Sequence, residues 1–237
     1  MKKLFFLLIS IFLGGCSINC DNGKLLIGTV YMISGREGAF VIRPAENQSV
    51  IVRACNLASG CEFLQDIVFS IYTDSNGRFT LPISGQLVEH DSTLAIGVAD
   101  ETDGVSWRLV NLKGDALDNI IIVKFDILKS SNGLTDILGC VNAFPTLFEG
   151  HVITVVGYYR GWDLLNEVQR GPPVTRSDWV VADTSSAIYV SALSKATPTG
   201  LKPYSLACTN VILEVCGIVR LTSNKQPYLE ALCVRNK

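Results

Sequence analysis

The chain has little charge, and little of the residue that most often does acid–base work. Only 18% of its 237 residues are charged, and only His90 and His151 are histidines. Charge is nearly balanced, 20 Lys and Arg against 22 Asp and Glu. Residues 17–134 are acidic, with nine Lys/Arg and fourteen Asp/Glu; residues 135–237 hold nine and eight. Neither part has the basic excess that phosphate-driven binding needs, which argues against nucleic acid as a partner. There is no Cys-x-x-Cys and no His beside the cysteines, so zinc spacing is missing; no metal or cofactor is expected. Gly-x-Ser-x-Gly, His-Glu-x-x-His and a phosphate-binding loop are also absent, which removes the motif-bearing enzyme classes. No apolar run reaches the roughly 20 residues that span a bilayer. There is no internal repeat and no low-complexity tract.

What is present begins at the N-terminus. Lys2-Lys3 precedes a short apolar run, Leu4 to Leu13, which ends in Gly14-Gly15-Cys16. A positive start, a short apolar stretch and small residues form an export signal over residues 1–15. Leu13-Gly14-Gly15-Cys16 resembles the cleavage and lipidation box of bacterial lipoproteins. The resemblance implies cleavage before Cys16, diacylglycerol on its thiol, and membrane attachment on the exported side of the envelope. Two or three acyl chains anchor firmly, since each buried CH₂ contributes ~0.8 kcal/mol. Ser17 differs from the Asp that signals inner-membrane retention in that family, which favours an outer membrane where one exists. Plain secretion, with Cys16 free or in a disulfide, is the alternative.

Export makes disulfides the default for the other cysteines. These are Cys20, Cys55, Cys61, Cys140, Cys208, Cys216 and Cys233, an odd number, so at least one stays free or pairs with another chain. Cys55 and Cys61 make the best pair, and so short a ring contributes roughly 2–2.5 kcal/mol in the chain-entropy model. The alternative is a buried Cys55 ending a strand, with Cys61 unrelated.

The rest is period-two or short apolar runs separated by Gly, Asn, Asp and Pro, the pattern of an all-β fold. Strands are expected at Leu25–Ile33, Ala39–Arg43, Val50–Ala54, Asp66–Tyr72, Arg78–Ile83, Thr93–Ala99, Ser106–Leu112 and Ile120–Ile127. Asn76-Gly77 predicts a hairpin between the fourth and fifth, because both residues tolerate positive φ. Such spacing suggests a β-sandwich. Gly28-Thr29-Val30, Gly38-Ala39-Phe40-Val41 and Thr73-Asp74-Ser75-Asn76-Gly77-Arg78-Phe79 resemble the carboxypeptidase regulatory-like module over residues 24–128. The resemblance implies a transthyretin-like (Ig-like) sandwich with a structural or interaction role and no catalysis. The stretch between Val41 and Asp66 is longer than the family pattern and implies an inserted hairpin.

Ser130–Thr135 reads as a linker, and Leu134–Phe148 as one short helix that Pro145 breaks late. Strands follow at His151–Tyr159, Asp178–Ala182, Ala187–Ala192, Asn210–Leu221 and Tyr228–Val234, which fits a small five-stranded barrel. The runs from Gly150 to Tyr159 and from Trp179 to Val190, with Val215-Cys216-Gly217 and Tyr228-Leu229-Glu230-Ala231, resemble OB-fold domains of exported bacterial proteins. An OB-fold-like barrel is therefore expected over 136–237. In its last hairpin, Val219 opposite Leu229 or Ala231 keeps apolar residues together. That register puts Cys233 inside and Cys216 outside, so a bridge between them needs a bulge or a slip.

OB folds bind ligands on strands two and three and the flanking loops. Tyr158, Tyr159, Arg160, Trp162, Trp179 and Tyr189 are the candidate ligand residues, since aromatics beside Arg stack on sugars or bases. Packing of Trp179 and Tyr189 into the barrel is the stronger alternative. Asp100–Gly104 offers oxygens for Ca²⁺, but a solvated turn accounts for it better. Cys140 with His151, and His90 between two acids, are weak catalytic candidates. The expectation is a lipid-anchored envelope protein without catalytic activity that binds an envelope protein, a glycan or a small ligand. The alternatives are an accessory subunit of an envelope complex and, less well supported, an enzyme of unknown type.

Overall fold

The computed structural model describes residues 24–36, 39–62, 64–83, 93–98, 107–125 and 133–237. The expected signal segment, Cys16, Cys20, His90, Asp100–Gly104 and most of the expected linker lie outside the described residues, as does the side chain of Cys61. The fold is all-β. Eight strands come first: β1 Lys24–Arg36, β2 Ala39–Pro44, β3 Ser49–Cys55, β4 Leu64–Tyr72, β5 Arg78–Ile83, β6 Thr93–Val98, β7 Trp107–Asn111 and β8 Ile120–Phe125.

They form two facing layers. In one, β1 is flanked on one edge by β5 and β2 and on the other by β8, which runs parallel to it. In the other, the order is β7-β6-β3-β4, all antiparallel. Strand alternation sends one face of each inward: Leu26, Val30, Phe79, Leu81 and Ile122 meet Val50, Val52, Leu94, Ile96 and Val110. Burying side chains of this size contributes about 1.5–3 kcal/mol each before the entropy of ordering the chain is counted.

The Asn76-Gly77 turn does not close a hairpin. β4 pairs with β3, whereas β5 pairs with β1, so the turn is a corner between the layers. Its geometry accounts for the Thr-Asp-x-x-Gly-x-Phe residues one by one. The buried Thr73 hydroxyl donates to the Ala45 carbonyl (2.7 Å) and accepts from the Gln48 amide (2.9 Å). Asp74 Oδ1 accepts from the amides of Asn76 (2.8 Å) and Arg78 (2.9 Å). Gly77 sits at φ 71°, and a Cβ there would lie 2.7 Å from the Val30 carbonyl oxygen. Phe79 then enters the core against Gly28, where a Cβ would fall 2.4 Å from its ring and 2.6 Å from the Ile120 carbonyl oxygen. Since the backbone oxygen cannot step aside, Gly28→Ala should cost about 2 kcal/mol by overpacking. A urea unfolding midpoint unchanged by Gly28→Ala would refute this contact.

The C-terminal strands are β9 His151–Tyr159, β10 Trp179–Ala182, β11 Ala187–Val190, β12 Ile212–Leu221 and β13 Pro227–Asn236. They close as a barrel in the order β9-β10-β11-β13-β12-β9, with β11 and β13 parallel and the other pairs antiparallel. Ile153, Val155, Val181, Ile188, Val190, Val215, Val219, Leu229 and Ala231 fill it. The expected single helix is two short ones, α1 Leu138–Ala143 and α2 Pro145–Phe148. Pro145 opens the second helix, where a missing amide and fixed φ cost nothing.

The two halves share a sheet. Trp107 and Arg108 of β7 pair with Val152 and His151 of β9, so one nine-stranded sheet runs from β4 to β10. Ile33 and Val123 of the first half also pack into the barrel-end core with Ile137, Leu138 and Phe148.

The last hairpin corrects the sequence-based register. Val219 does face Leu229, but a bulge beside Gly217 then brings Cys216 directly opposite Cys233. Cross-strand partners point to the same face. Cys216 packs in the outer cluster with Val152, Ile218 and Leu232, so Cys233 faces outward as well.

Candidate functional site

The barrel carries a groove of about 570 Å³ on its outer side. One wall is Glu167–Arg170, from the long loop between β9 and β10. The floor is Ser186–Tyr189, and the other wall is Asn224–Pro227, from the turn between β12 and β13; Asn142 and Pro145 close one end. The volume lies within the usual range for ligand clefts.

Each wall is held by polar ties. Asp163, at φ 57°, accepts from the amides of Glu167 (2.8 Å) and Val168 (3.2 Å) through its two carboxylate oxygens. Arg160 Nε bonds Glu167 Oε2 at 3.0 Å, and Nη1 bonds the Thr209 carbonyl at 2.7 Å. The buried Gln226 donates Nε2 to the Gly171 carbonyl at 3.0 Å, which links the two walls. Asn142 Nδ2 donates to the Ser186 hydroxyl (2.7 Å) and the Ala187 carbonyl (3.0 Å), which fixes the end wall to the floor. Arg170, Asn224 and Lys225 are exposed at the rim.

The six ligand candidates separate in space. Tyr159 and Trp179 are buried and tilt against each other at 5.5 Å inside the barrel, so they are packing residues and cannot reach a ligand. Burial pushes the Tyr159 hydroxyl up to about 12, with Cys208 adding to the shift. Tyr158 carries the Arg160 guanidinium 4.8 Å from its ring centre. Arg160 is thus engaged on three sides and holds the loop. Trp162 is 46% exposed and pairs with Tyr204 at 6.1 Å, on a surface the groove does not include. Of the six, only Tyr189 lines the groove, and it too is buried. It packs with Val180, Val168 and Tyr228, and burial raises its pKa, with Asp163 and Asp178 next.

Two carboxylates that the sequence reading passed over organise this end of the barrel. Fully buried Asp178 accepts from the amides of Val174 (2.8 Å), Thr175 (3.0 Å) and Ala192 (3.0 Å), and from the Thr175 hydroxyl (2.8 Å). Asp183, in the turn before β11, accepts from the amides of Ile137 (2.7 Å) and Leu138 (2.9 Å) through Oδ2. Its Oδ1 accepts from Ser185 and Ser186. A short Asp-x-Ser-Ser turn before a strand was the available sequence signal.

The thiol and imidazole candidates are not in reactive states. Cys55 is a free thiol, so the expected Cys55–Cys61 bridge is not formed; burial pushes it up to about 11. It packs at the end of β3 with Leu57 and Trp107, the alternative the sequence left open. Cys140 is a free thiol raised to about 11, by burial first and then by Asp136 and Asp183. His151 is fully buried; its Nε2 accepts from the Val123 amide at 3.2 Å. Burial, reinforced by Arg108, lowers it to about 3, against an opposing pull from the Phe148 and Glu149 backbone. Among the described residues, no three His, Cys, Asp or Glu groups converge to hold a metal, and no helix is long and apolar enough to cross a membrane.

Comparisons of the chain with family models, with curated proteins and with solved structures find no match. The site's chemistry rests on its own geometry.

Proposed function

We propose that this is a lipid-anchored binding protein of the cell envelope, without catalytic activity, that holds its ligand in the groove of an OB-like barrel. One observation carries the reading. The groove lies where OB folds bind, between the loop after the first barrel strand, the third strand and the final hairpin turn. Polar ties shape it on three sides, and Tyr189, itself buried, lies in its floor. Amide, hydroxyl and guanidinium groups around such a floor suit a neutral or acidic envelope glycan. The Gly28–Phe79 contact and the Thr73–Asp74 corner support the carboxypeptidase regulatory-like reading of residues 24–128, with that module as a spacer near the anchor.

The anchor is tested by fractionation. Wild type should sediment with membranes and release only in detergent, whereas Cys16→Ser should appear in the soluble fraction. A Cys16→Ser protein that stayed fully membrane-bound would remove the anchor from the proposal.

A second reading, an accessory subunit of an envelope complex, is favoured by the exposed surface at Trp162, Tyr204 and Leu206. A Cβ on Gly161, at φ 58°, would meet the Pro203 carbonyl oxygen, and the Trp162 amide donates to that same oxygen at 2.9 Å, so this surface is held by its backbone. Apolar patches of this kind mark contact surfaces. Loss of a crosslinked partner on Trp162→Ser with Tyr204→Ser, with glycan binding intact, would separate the two readings.

A further inference from the structure

The groove carries two cations and no carboxylate left to meet them. Arg170 stands on one wall and Lys225 on the other, both exposed at the rim. The tie between the walls lies one residue beyond each, where Gln226 Nε2 donates to the Gly171 carbonyl at 3.0 Å. That bond brings the two cationic residues to the same stretch of the groove. Lys225 is held there at φ 60°, with its amide donating to the Thr222 carbonyl (2.9 Å) and the next amide, of Gln226, to the Thr222 hydroxyl (3.0 Å). Gly or Asn takes this backbone conformation at lower cost, so the chain places a positive charge here against local preference.

The nearby acids are already engaged. Glu167 is the one acid among the described lining residues, and it accepts from Arg160 Nε at 3.0 Å. Asp163 and Asp178 act on the Tyr189 hydroxyl but do not line the groove. Their oxygens accept from the amides of Glu167 and Val168, and of Val174, Thr175 and Ala192. Among the described residues, neither the Arg170 guanidinium nor the Lys225 ammonium has an ion-pair partner. Two like charges side by side repel; an anion between them replaces that repulsion with two attractions. The flat guanidinium fork adds paired hydrogen bonds to a carboxylate or phosphate, which a neutral sugar hydroxyl cannot match.

We propose that the groove selects an acidic glycan, with an anionic group of the sugar held between Arg170 and Lys225. Its uncharged hydroxyls meet the amide side chains of Gln169 and Asn224 along the same walls. This specificity rests on the reading that a glycan enters the groove.

The test separates charge from sugar. Soluble envelope oligosaccharides are split by anion exchange into neutral and acidic fractions. Part of the acidic fraction is reduced with carbodiimide and borohydride, which turns carboxylates into alcohols; another part is treated with phosphatase. Each is titrated into residues 16–237 carrying Cys16→Ser, with amide shifts followed by NMR. The acidic fraction should bind at the groove segments about tenfold more tightly than the neutral one, as expected for charge-assisted contacts. One of the two treatments should remove that advantage and so identify the anion as carboxylate or phosphate. Arg170→Gln with Lys225→Gln should shrink the acidic-to-neutral ratio to about twofold. Arg176→Gln, an exposed cation that does not line the groove, should leave the ratio unchanged. Equal affinity of the two fractions at the groove segments would overturn the acidic specificity and leave the groove reading standing. An equal loss of ratio with Arg176→Gln would overturn it too, by assigning the preference to net charge. Absence of groove shifts with every fraction would remove both the specificity and the reading beneath it.

Discussion

Asp183→Ala is expected to lower the unfolding free energy by about 3–5 kcal/mol and to loosen the end of the barrel that supports the groove. Helix α1 has only six residues and no capping side chain at Ile137. So short a helix does not form by itself. Its first amides are instead satisfied by Asp183, roughly 45 residues later in sequence, through one carboxylate oxygen. The other oxygen closes the Ser185-Ser186 turn. Removing a cap costs about 1–2 kcal/mol, and a hydrogen bond to a charged group contributes about 1.5–3 kcal/mol, with incomplete additivity. Leu138 and Val141, which α1 packs into the barrel-end core, would lose their placement with it. Urea denaturation measures the effect. Asp183→Asn keeps the shape but turns one acceptor into a donor, and should recover only part of it. A loss below about 1 kcal/mol for the Ala variant would mean that α1 holds without this cap.

The second large effect is acid destabilisation through His151. Its folded pKa is about 3 against an ordinary 6.5. Between these values the unfolded chain binds a proton that the folded chain refuses. Stability from this group is therefore full above about pH 6.5 and declines as pH falls toward 3. Between pH 7 and pH 4.5 the decline is about 2.5 kcal/mol. The imidazole lies at the seam where β9 joins the sandwich sheet, between Arg108 and the Val123 amide, so protonation strikes the junction between the two halves. Other carboxylates titrate in the same range, so the comparison is wild type against His151→Gln, which cannot take up the proton. The variant should be less stable at pH 7 but should lose about 2.5 kcal/mol less on acidification. Equal pH slopes for the two proteins would contradict a neutral buried His151.

Much of the fold can be read from alternation alone. Arg78–Ile83 and His151–Tyr159 agree with the expected strands at both ends, because apolar period and turn residues coincide there. Other features depend on partners distant in sequence. Asn76-Gly77 announces a reversal but cannot say which sheet receives the next strand; that is set by Phe79 seating on Gly28. The bulge opposite Cys233 is a property of pairing and leaves no mark in spacing. For the candidate site residues, the sequence carried no mark of exposure. Tyr159, Trp179 and Tyr189 look like Trp162 in one dimension, yet they are buried and Trp162 is half exposed. Asp183 was missed because its partners lie on a helix whose position the sequence does not fix.

The central claim is that ligand enters the groove between Glu167–Arg170, Ser186–Tyr189 and Asn224–Pro227. Amide-resolved NMR of residues 16–237 with Cys16→Ser, titrated with soluble envelope oligosaccharides, tests it most directly. Saturable shifts should concentrate on those three segments, and Gln226→Ala, which unlinks the two walls, should weaken binding about tenfold. Shifts confined to the surface around Trp162 and Tyr204, or no shifts at saturating oligosaccharide, would contradict the account.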